Sequence, residues 1–185
     1  MASTWKGHIQ FFMFIIPVKL YTAEDRSDRI GFNQLHRQDL GRIGYVKTCK
    51  KCGKEVSTSD IVKGYEYGDD QYIIVEQEDL NKLAIKSTKV LEVSGFIDAK
   101  EIHPTLYERP YFAGPDGPLA AKPYALFQQA LRDSGKLAIG RVAMHQRESI
   151  MALPAPEQGI VAYKLRDPKE MEDMDEVTDG AAEAP

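Results

Sequence analysis

Cysteine is nearly absent from this chain, with two thiols, Cys49 and Cys52, in 185 residues. So few thiols exclude a disulfide framework and fit a reducing cytoplasm. Long hydrophobic runs are missing too. The stretch from Ile9 to Val18 is too short to cross a bilayer, Pro17 interrupts it, and nothing begins like a secretory signal. Catalytic signatures are also wanting, since no glycine-rich loop cradles a phosphate and no nucleophile elbow occurs. Asp69 and Asp70 fall in a turn, and Asp173 and Asp175 in a polar tail, so these pairs read as solvated charge. The four histidines read as surface or packing residues. What is left points to a binder and not to an enzyme.

An apolar share of 43% supports a sizeable core. The net charge of −4 hides a division. From Asp167 to Pro185 there are eight acidic residues and one lysine, whereas residues 1–166 hold 23 basic against 20 acidic residues. Within that body, Arg26 to Lys63 carries nine basic and four acidic residues, a local net of +5. A basic first third and an acidic tail describe the chain better than its overall balance. The tail, 167–185, is poor in apolar groups and is expected to be disordered.

Strand patterns dominate the body. Trp5 to Leu20 reads as strand, with Pro17 marking an edge or bulge. Gly31 to Leu40 starts extended and becomes ambiguous. Gly41 to Val46 alternates as a strand entering the turn that holds both cysteines, and Lys54 to Val56 would leave it as a second arm. Gly68-Asp69-Asp70 is a hairpin turn between Tyr65–Tyr67 and a strand over Gln71–Val75. Glu76 to Ile85 predicts a short helix with Leu80 and Leu83 inward. Strands are expected over Ser87–Val93, Glu108–Phe112, Lys136–Met144 and Ile160–Leu165, with a polar connection over Gly95–Pro104. Ala120 to Gly135 is the strongest helix, with Tyr124, Phe127 and Leu131 on one face. The fold class is therefore mainly β with a few helices.

Two features carry chemistry. The first is Cys49-Lys50-Lys51-Cys52-Gly53, a spacing that grips half of a tetrahedral zinc. A closed structural site needs four ligands, and His36 lies 13 residues upstream while His103 and His145 are far away. Either distant histidines complete the site or a second copy donates its own pair. The other readings are an inert pair and a redox couple, the latter wanting a strand–turn–helix context that these flanks do not offer. The second feature is the lysine cluster around the thiols: Lys47, Lys50, Lys51, Lys54 and Lys63. Any single lysine there could simply keep a hairpin soluble. Together they suit phosphate oxygens, because lysine is a flexible point charge that reads base patterns poorly. Without a helix-turn-helix or a stacking platform, sequence-independent contact with a duplex backbone is expected. Tyr65, Tyr67, Tyr72, Tyr107 and Tyr111 read as strand packing.

Taken together, the motifs resemble the bacterial Ku proteins. The similarity is carried by WKGHIQFFMFIIPVKLYTA at the start, FNQLH, RIGYVKTCKKCGKEV and DIVKGYEY. It continues through the STK triplet at Ser87 to Lys89, ERPYF at Glu108 to Phe112, KPYALFQQALRDSGKLAIGRV, and HQRE at His145 to Glu148. It spans about residues 5–166, so a Ku core over 1–166 and an acidic tail over 167–185 are the expected divisions. The resemblance implies a β-barrel with an extended β bridge arm, two copies of which form a ring-shaped homodimer. Such a ring threads onto double-stranded DNA ends, has no catalytic activity, and recruits an ATP-dependent DNA ligase for non-homologous end joining in the bacterial cytoplasm, at the nucleoid. The basic positions matching the family's bridge and barrel are Arg42, Lys47, Lys50, Lys51, Lys54, Lys63, Lys89 and Arg147. Lys19 and Arg109 lie in motifs as structural residues. Cys49 and Cys52 are the candidate metal ligands, for a zinc with four thiolates shared across the dimer.

Family members usually continue into helices and a basic C-terminal extension, whereas here the similarity is expected to stop near Arg166. That departure raises one alternative, a ring-forming decoy or regulatory variant that does not recruit the ligase; the cysteine turn raises another, a small zinc-hairpin interaction protein.

Overall fold

The computed structural model describes residues 2–25, 30–83, 89–144 and 147–178. Their strands are β1 (Trp5–Phe11), β2 (Phe14–Thr22), β3 (Lys63–Gly68), β4 (Gln71–Val75), β5 (Val90–Asp98), β6 (Tyr107–Pro115), β7 (Lys136–Met144), β8 (Arg147–Leu153) and β9 (Ile160–Leu165). The helices are α1 (Gln77–Leu83), α2 (Pro118–Ser134) and α3 (Met174–Thr178). The chain divides into two units, one of residues 1–25 and 85–185 and one of residues 26–84.

The first unit is a closed barrel with the order β1-β2-β6-β9-β8-β7-β5. Every neighbouring pair is antiparallel except β1 with β5, whose parallel pairing from His8↔Val90 to Gln10↔Glu92 closes it. Closure removes the exposed edges that a mainly β chain must otherwise protect. Alternate residues point inward, as period-two burial along β2 (Ile16, Val18, Leu20) and β5 (Leu91, Val93) shows. Each such large aliphatic side chain contributes about 1.5–3 kcal/mol on burial.

The expected single strand over Trp5–Leu20 is instead a hairpin. Phe12, with φ 50°, turns the chain, so Trp5 pairs with Leu20 and Phe11 with Phe14. No Gly, Asn or Asp stands at 12 or 13 to advertise that turn. Pro17 faces His8 of β1, while the pairing of β2 with β6 begins only at Val18. Its missing N–H therefore leaves no rung of that second ladder unmade.

Of the described glycines, Gly7 is the most closely packed. A Cβ added there would lie 2.1 Å from the Lys89 carbonyl oxygen and 2.4 Å from the Trp5 ring. The approach also lets the His8 N–H donate to the Lys89 carbonyl at 2.9 Å. Trp5-Lys6-Gly7 and Lys89 are thus two sides of one contact. The rest of the STK triplet, Ser87 and Thr88, lies outside the described residues, as do His145 and Gln146 of HQRE.

β5 runs past the expected strand end at Val93, through a register shift between Val93 and Gly95, and takes in residues read as connection up to Asp98. The bulge breaks the alternation that marks a strand. α2 lies on the barrel with Ala120, Tyr124 and Leu131 buried and Phe127 packed against the core, the face expected for it. The buried Tyr124 hydroxyl donates to the Ala113 carbonyl at 2.7 Å and accepts the Ile160 N–H at 2.9 Å, tying α2 to β6 and β9. Burial holds its pKa above the usual tyrosine value.

In the tail, Asp167 accepts from the Lys169 N–H at 3.0 Å to start a 3-10 turn over Pro168–Glu170, and α3 follows. The 3-10 turn and α3 lie in the segment whose composition alone reads as disordered; residues 179–185 of that expectation lie outside the described residues.

Candidate nucleic-acid interface

The second unit is built from turns and one hairpin. In its first turn the Gly41 N–H donates to Asp39 Oδ1 at 2.9 Å, and His36 Nδ1 lies 3.0 Å from the same oxygen. Those bonds, the Gly41 one first, hold the Asp39 carboxyl below the usual range. Around it, the His36 N–H bonds to the Gly41 carbonyl, and Leu35 bridges Arg42. The expected strand over Gly41–Val46 is absent. Only that bridge forms, and Tyr45 is exposed with its hydroxyl donating to the Gln34 side chain.

The second turn carries the cysteines. Thr48 bridges Glu55, the Cys49 N–H donates to the Lys54 carbonyl at 2.9 Å, and the Val56 N–H to the Lys47 carbonyl at 2.9 Å. The Gly53 N–H returns to the Cys49 carbonyl at 2.8 Å, with Gly53 at φ 70°, a left-handed conformation that glycine adopts without strain. Both thiols are free, Cys49 half-buried and Cys52 exposed. Backbone N–H groups of Cys52 and then Lys51 bond to the Cys49 sulfur and hold its pKa below the usual thiol value. The two-armed turn expected here is therefore present, with bridges in place of strand ladders.

The third piece is the hairpin of β3 and β4, paired from Lys63↔Val75 to Gly68↔Gln71 through the turn at Asp69 and Asp70. α1 follows, and Leu80 on it is half-buried. The expected end of that helix, Ala84 and Ile85, lies outside the described residues.

No residue described from 30 to 82 is buried. Phe32 is 92% exposed, Tyr45 80% and Tyr65 66%, and Tyr67, Tyr72, Ile73 and Ile74 are exposed as well. The strand-packing expectation therefore holds for Tyr111, which is buried, and for Tyr107, which packs edge-on against Tyr163 at 5.0 Å. It fails for Tyr65, Tyr67 and Tyr72, because a two-stranded sheet has no second layer to bury them.

Against this surface stand the cations. Lys47, Lys50, Lys51 and Lys54 surround the cysteine turn, Arg42 sits in the bridge of the first turn, and Lys63 opens β3; all are exposed. Among the described residues none of the six forms an ion pair.

The remaining two candidates, Lys89 and Arg147, are exposed on the barrel unit, Lys89 with φ 55°. A groove of about 340 Å³ brings Arg147 together with Arg141, Lys164 and Arg166, three cations that sequence reasoning passed over, as well as Glu148, Asp167 and Glu170. Strand alternation at Arg141 and Lys164 was the available signal, but isolated charges on strands do not stand out against a mixed background. Lys19, expected to be structural, is ion-paired on the barrel unit. It bonds Asp116 at 2.7 Å, Lys6 does so at 2.8 Å, and the two ammonium groups depress the Asp116 carboxyl. Arg109 bonds Tyr111, which raises its pKa. Glu108 is likewise held low by Lys164 at 2.7 Å.

Residues 11–184 match the family described as the Ku70/Ku80 beta-barrel domain. The chain belongs to the Ku family. The match extends beyond Arg166, where the resemblance was expected to stop. Among curated relatives, the "Non-homologous end joining protein Ku" of Archaeoglobus fulgidus is 41% identical over 165 residues, covering 89% of this chain and 64% of the relative. The protein of the same name from Heliobacterium modesticaldum is 35% identical, covering 97% of this chain and 64% of the relative. That of Bacillus subtilis is 37% identical, covering 92% and 55%. The chain thus spans little more than half to under two thirds of the length of these Ku relatives. The closed barrel agrees with the architecture that the Ku resemblance implied.

Proposed function

We propose that this chain acts as a homodimer that threads onto double-stranded DNA ends and holds them during non-homologous end joining, reading no sequence and doing no chemistry of its own. One observation carries the reading: Arg42, Lys47, Lys50, Lys51, Lys54 and Lys63 form no ion pair among the described residues, and no residue described from 30 to 82 is buried. A two-stranded hairpin with exposed aromatic and aliphatic side chains is marginal alone, and exposed apolar surface of this kind marks an interaction site. A second copy supplies apolar cover, and duplex phosphates supply the counter-charge. The printed names of the relatives, all end-joining Ku proteins, support the same reading.

Lysines are adequate for this task. Where specificity comes from threading, every contact can be to phosphate, and two copies sum their contacts without base readout. Arg42, Lys47, Lys50, Lys51, Lys54 and Lys63, with Lys89 and Arg147 of the barrel unit, are assigned as the phosphate contacts. End joining then needs a sealing enzyme, and an ATP-dependent DNA ligase is the partner this reading assigns, at the nucleoid in the cytoplasm. Among the described residues no helix is long and apolar enough to cross a membrane.

Threading is tested by loading the protein on a linear duplex biotinylated at both ends and then adding streptavidin. A threaded ring stays on the blocked duplex when competitor DNA is added and leaves the unblocked one. Equal release from both overturns threading.

A further inference from the structure

The cysteine turn holds a feature that phosphate binding does not use. Cys49 and Cys52 are two free thiols on one tight turn, reachable from solvent, and backbone N–H groups of Lys51 and Cys52 already point at the Cys49 sulfur. Gly53 in its left-handed conformation, the Cys49 N–H bond to the Lys54 carbonyl and the Gly53 N–H bond to the Cys49 carbonyl close the loop around them. A turn of this kind offers two sulfurs to one thiophilic ion and stabilises them through backbone donors. Among the described residues no group of three or more metal-ligating side chains gathers anywhere. Two of the described histidines have other partners, His36 with Asp39 and His103 with Thr105 at 2.7 Å. One chain therefore brings two ligands where a closed tetrahedral site takes four.

We infer that the turn from Lys47 to Val56 is half of a zinc site, and that the same turn of a second copy completes it, one ion being held by Cys49 and Cys52 of both chains. The inference rests on the homodimer reading for its second half. Each thiol gives up its proton on binding, so closing the site releases about four protons, and affinity rises with pH. A zinc held by four thiolates carries a net charge of about −2. Lys47, Lys50, Lys51 and Lys54 of each copy outweigh it, so the braced arm keeps a positive face. The metal's role is to tie together two arms that have no core of their own.

The test uses the full chain, purified and loaded with zinc alone or with cobalt(II) alone. Elemental analysis should find about one zinc per two chains, and the cobalt form should show the absorption of a tetrahedral site with four sulfur ligands. Cys49→Ser and Cys52→Ser should each abolish both signals and leave the thermal transition of the barrel unchanged, since neither thiol is in the core. Sedimentation and linear-duplex binding are measured on the same samples. A dimer that binds ends with reduced thiols and no metal overturns the site while leaving the clamp intact. One zinc per chain overturns sharing. A chain that stays monomeric and ignores DNA ends overturns the clamp reading itself, and the shared site with it.

Discussion

Gly7 shows how one residue can carry a motif. Its Cα lies against the Lys89 carbonyl and the Trp5 ring with no room for a methyl group. Gly7→Ala should therefore overpack the β1–β5 seam and cost about 3 kcal/mol, lowering the Tm by roughly 6–12 °C for a chain of this size. An unchanged melting curve would show that the seam yields. Asp116 makes a second case. Lys19 and Lys6 hold its carboxyl low, so the unfolded chain takes up a proton before the folded one as pH falls. The stability it contributes is present above the ordinary carboxylate range and is lost as pH falls through its depressed folded value. Asp116→Asn should lower Tm near neutral pH and lessen the loss of Tm on acidification, which a series of melts from pH 7 down to pH 3, roughly the span of carboxylate titration, would register. Single residues were legible in the sequence only where their chemistry is local. The thiol pair and its lysines could be read directly, but the partners of Lys19 and Arg109, or the tie of Tyr124 to two strands, depend on contacts between distant segments.

Among elements, the helix α2 and the hairpin of β3 and β4 were the most legible, because apolar spacing marks the one and Gly68-Asp69-Asp70 the other. The turn at Phe12 and Met13 and the extension of β5 were not, since one lacks turn residues and the other hides behind a bulge. The arm around the cysteines was readable for the opposite reason. It has so little tertiary packing that its local sequence decides its shape, and the same lack of packing leaves its aromatic residues exposed where strand periodicity implied burial. Lys50, Lys51 and Lys54 belong to this element and make no ion pair among the described residues. Replacing all three with Glu should weaken binding to every linear duplex alike and reduce the slope of log K against log salt by about 0.9 for each phosphate no longer neutralised. Filter binding with duplexes of unrelated sequence at several salt concentrations reads both effects. Weakening confined to some sequences would mean that bases are read.

At the scale of the whole molecule, the proposed function divides the labour: the barrel supplies stability, and the basic unit, in which no residue described from 30 to 82 is buried, would supply contacts to a second chain and to a polyanion. The family was legible from motifs spread over most of the chain, and the family match over residues 11–184 bears this out. How two copies of the proposed dimer would meet was not legible, because such contacts would involve exposed residues whose pattern within one chain satisfies nothing. The central claim, a ring that enters DNA only at an end, is tested most directly by equilibrium binding to one duplex sequence as a linear fragment and as a sealed circle, at low and at moderate salt. We expect tight, salt-sensitive binding to the linear form and none of that mode on the circle. Equal affinity for both would contradict it.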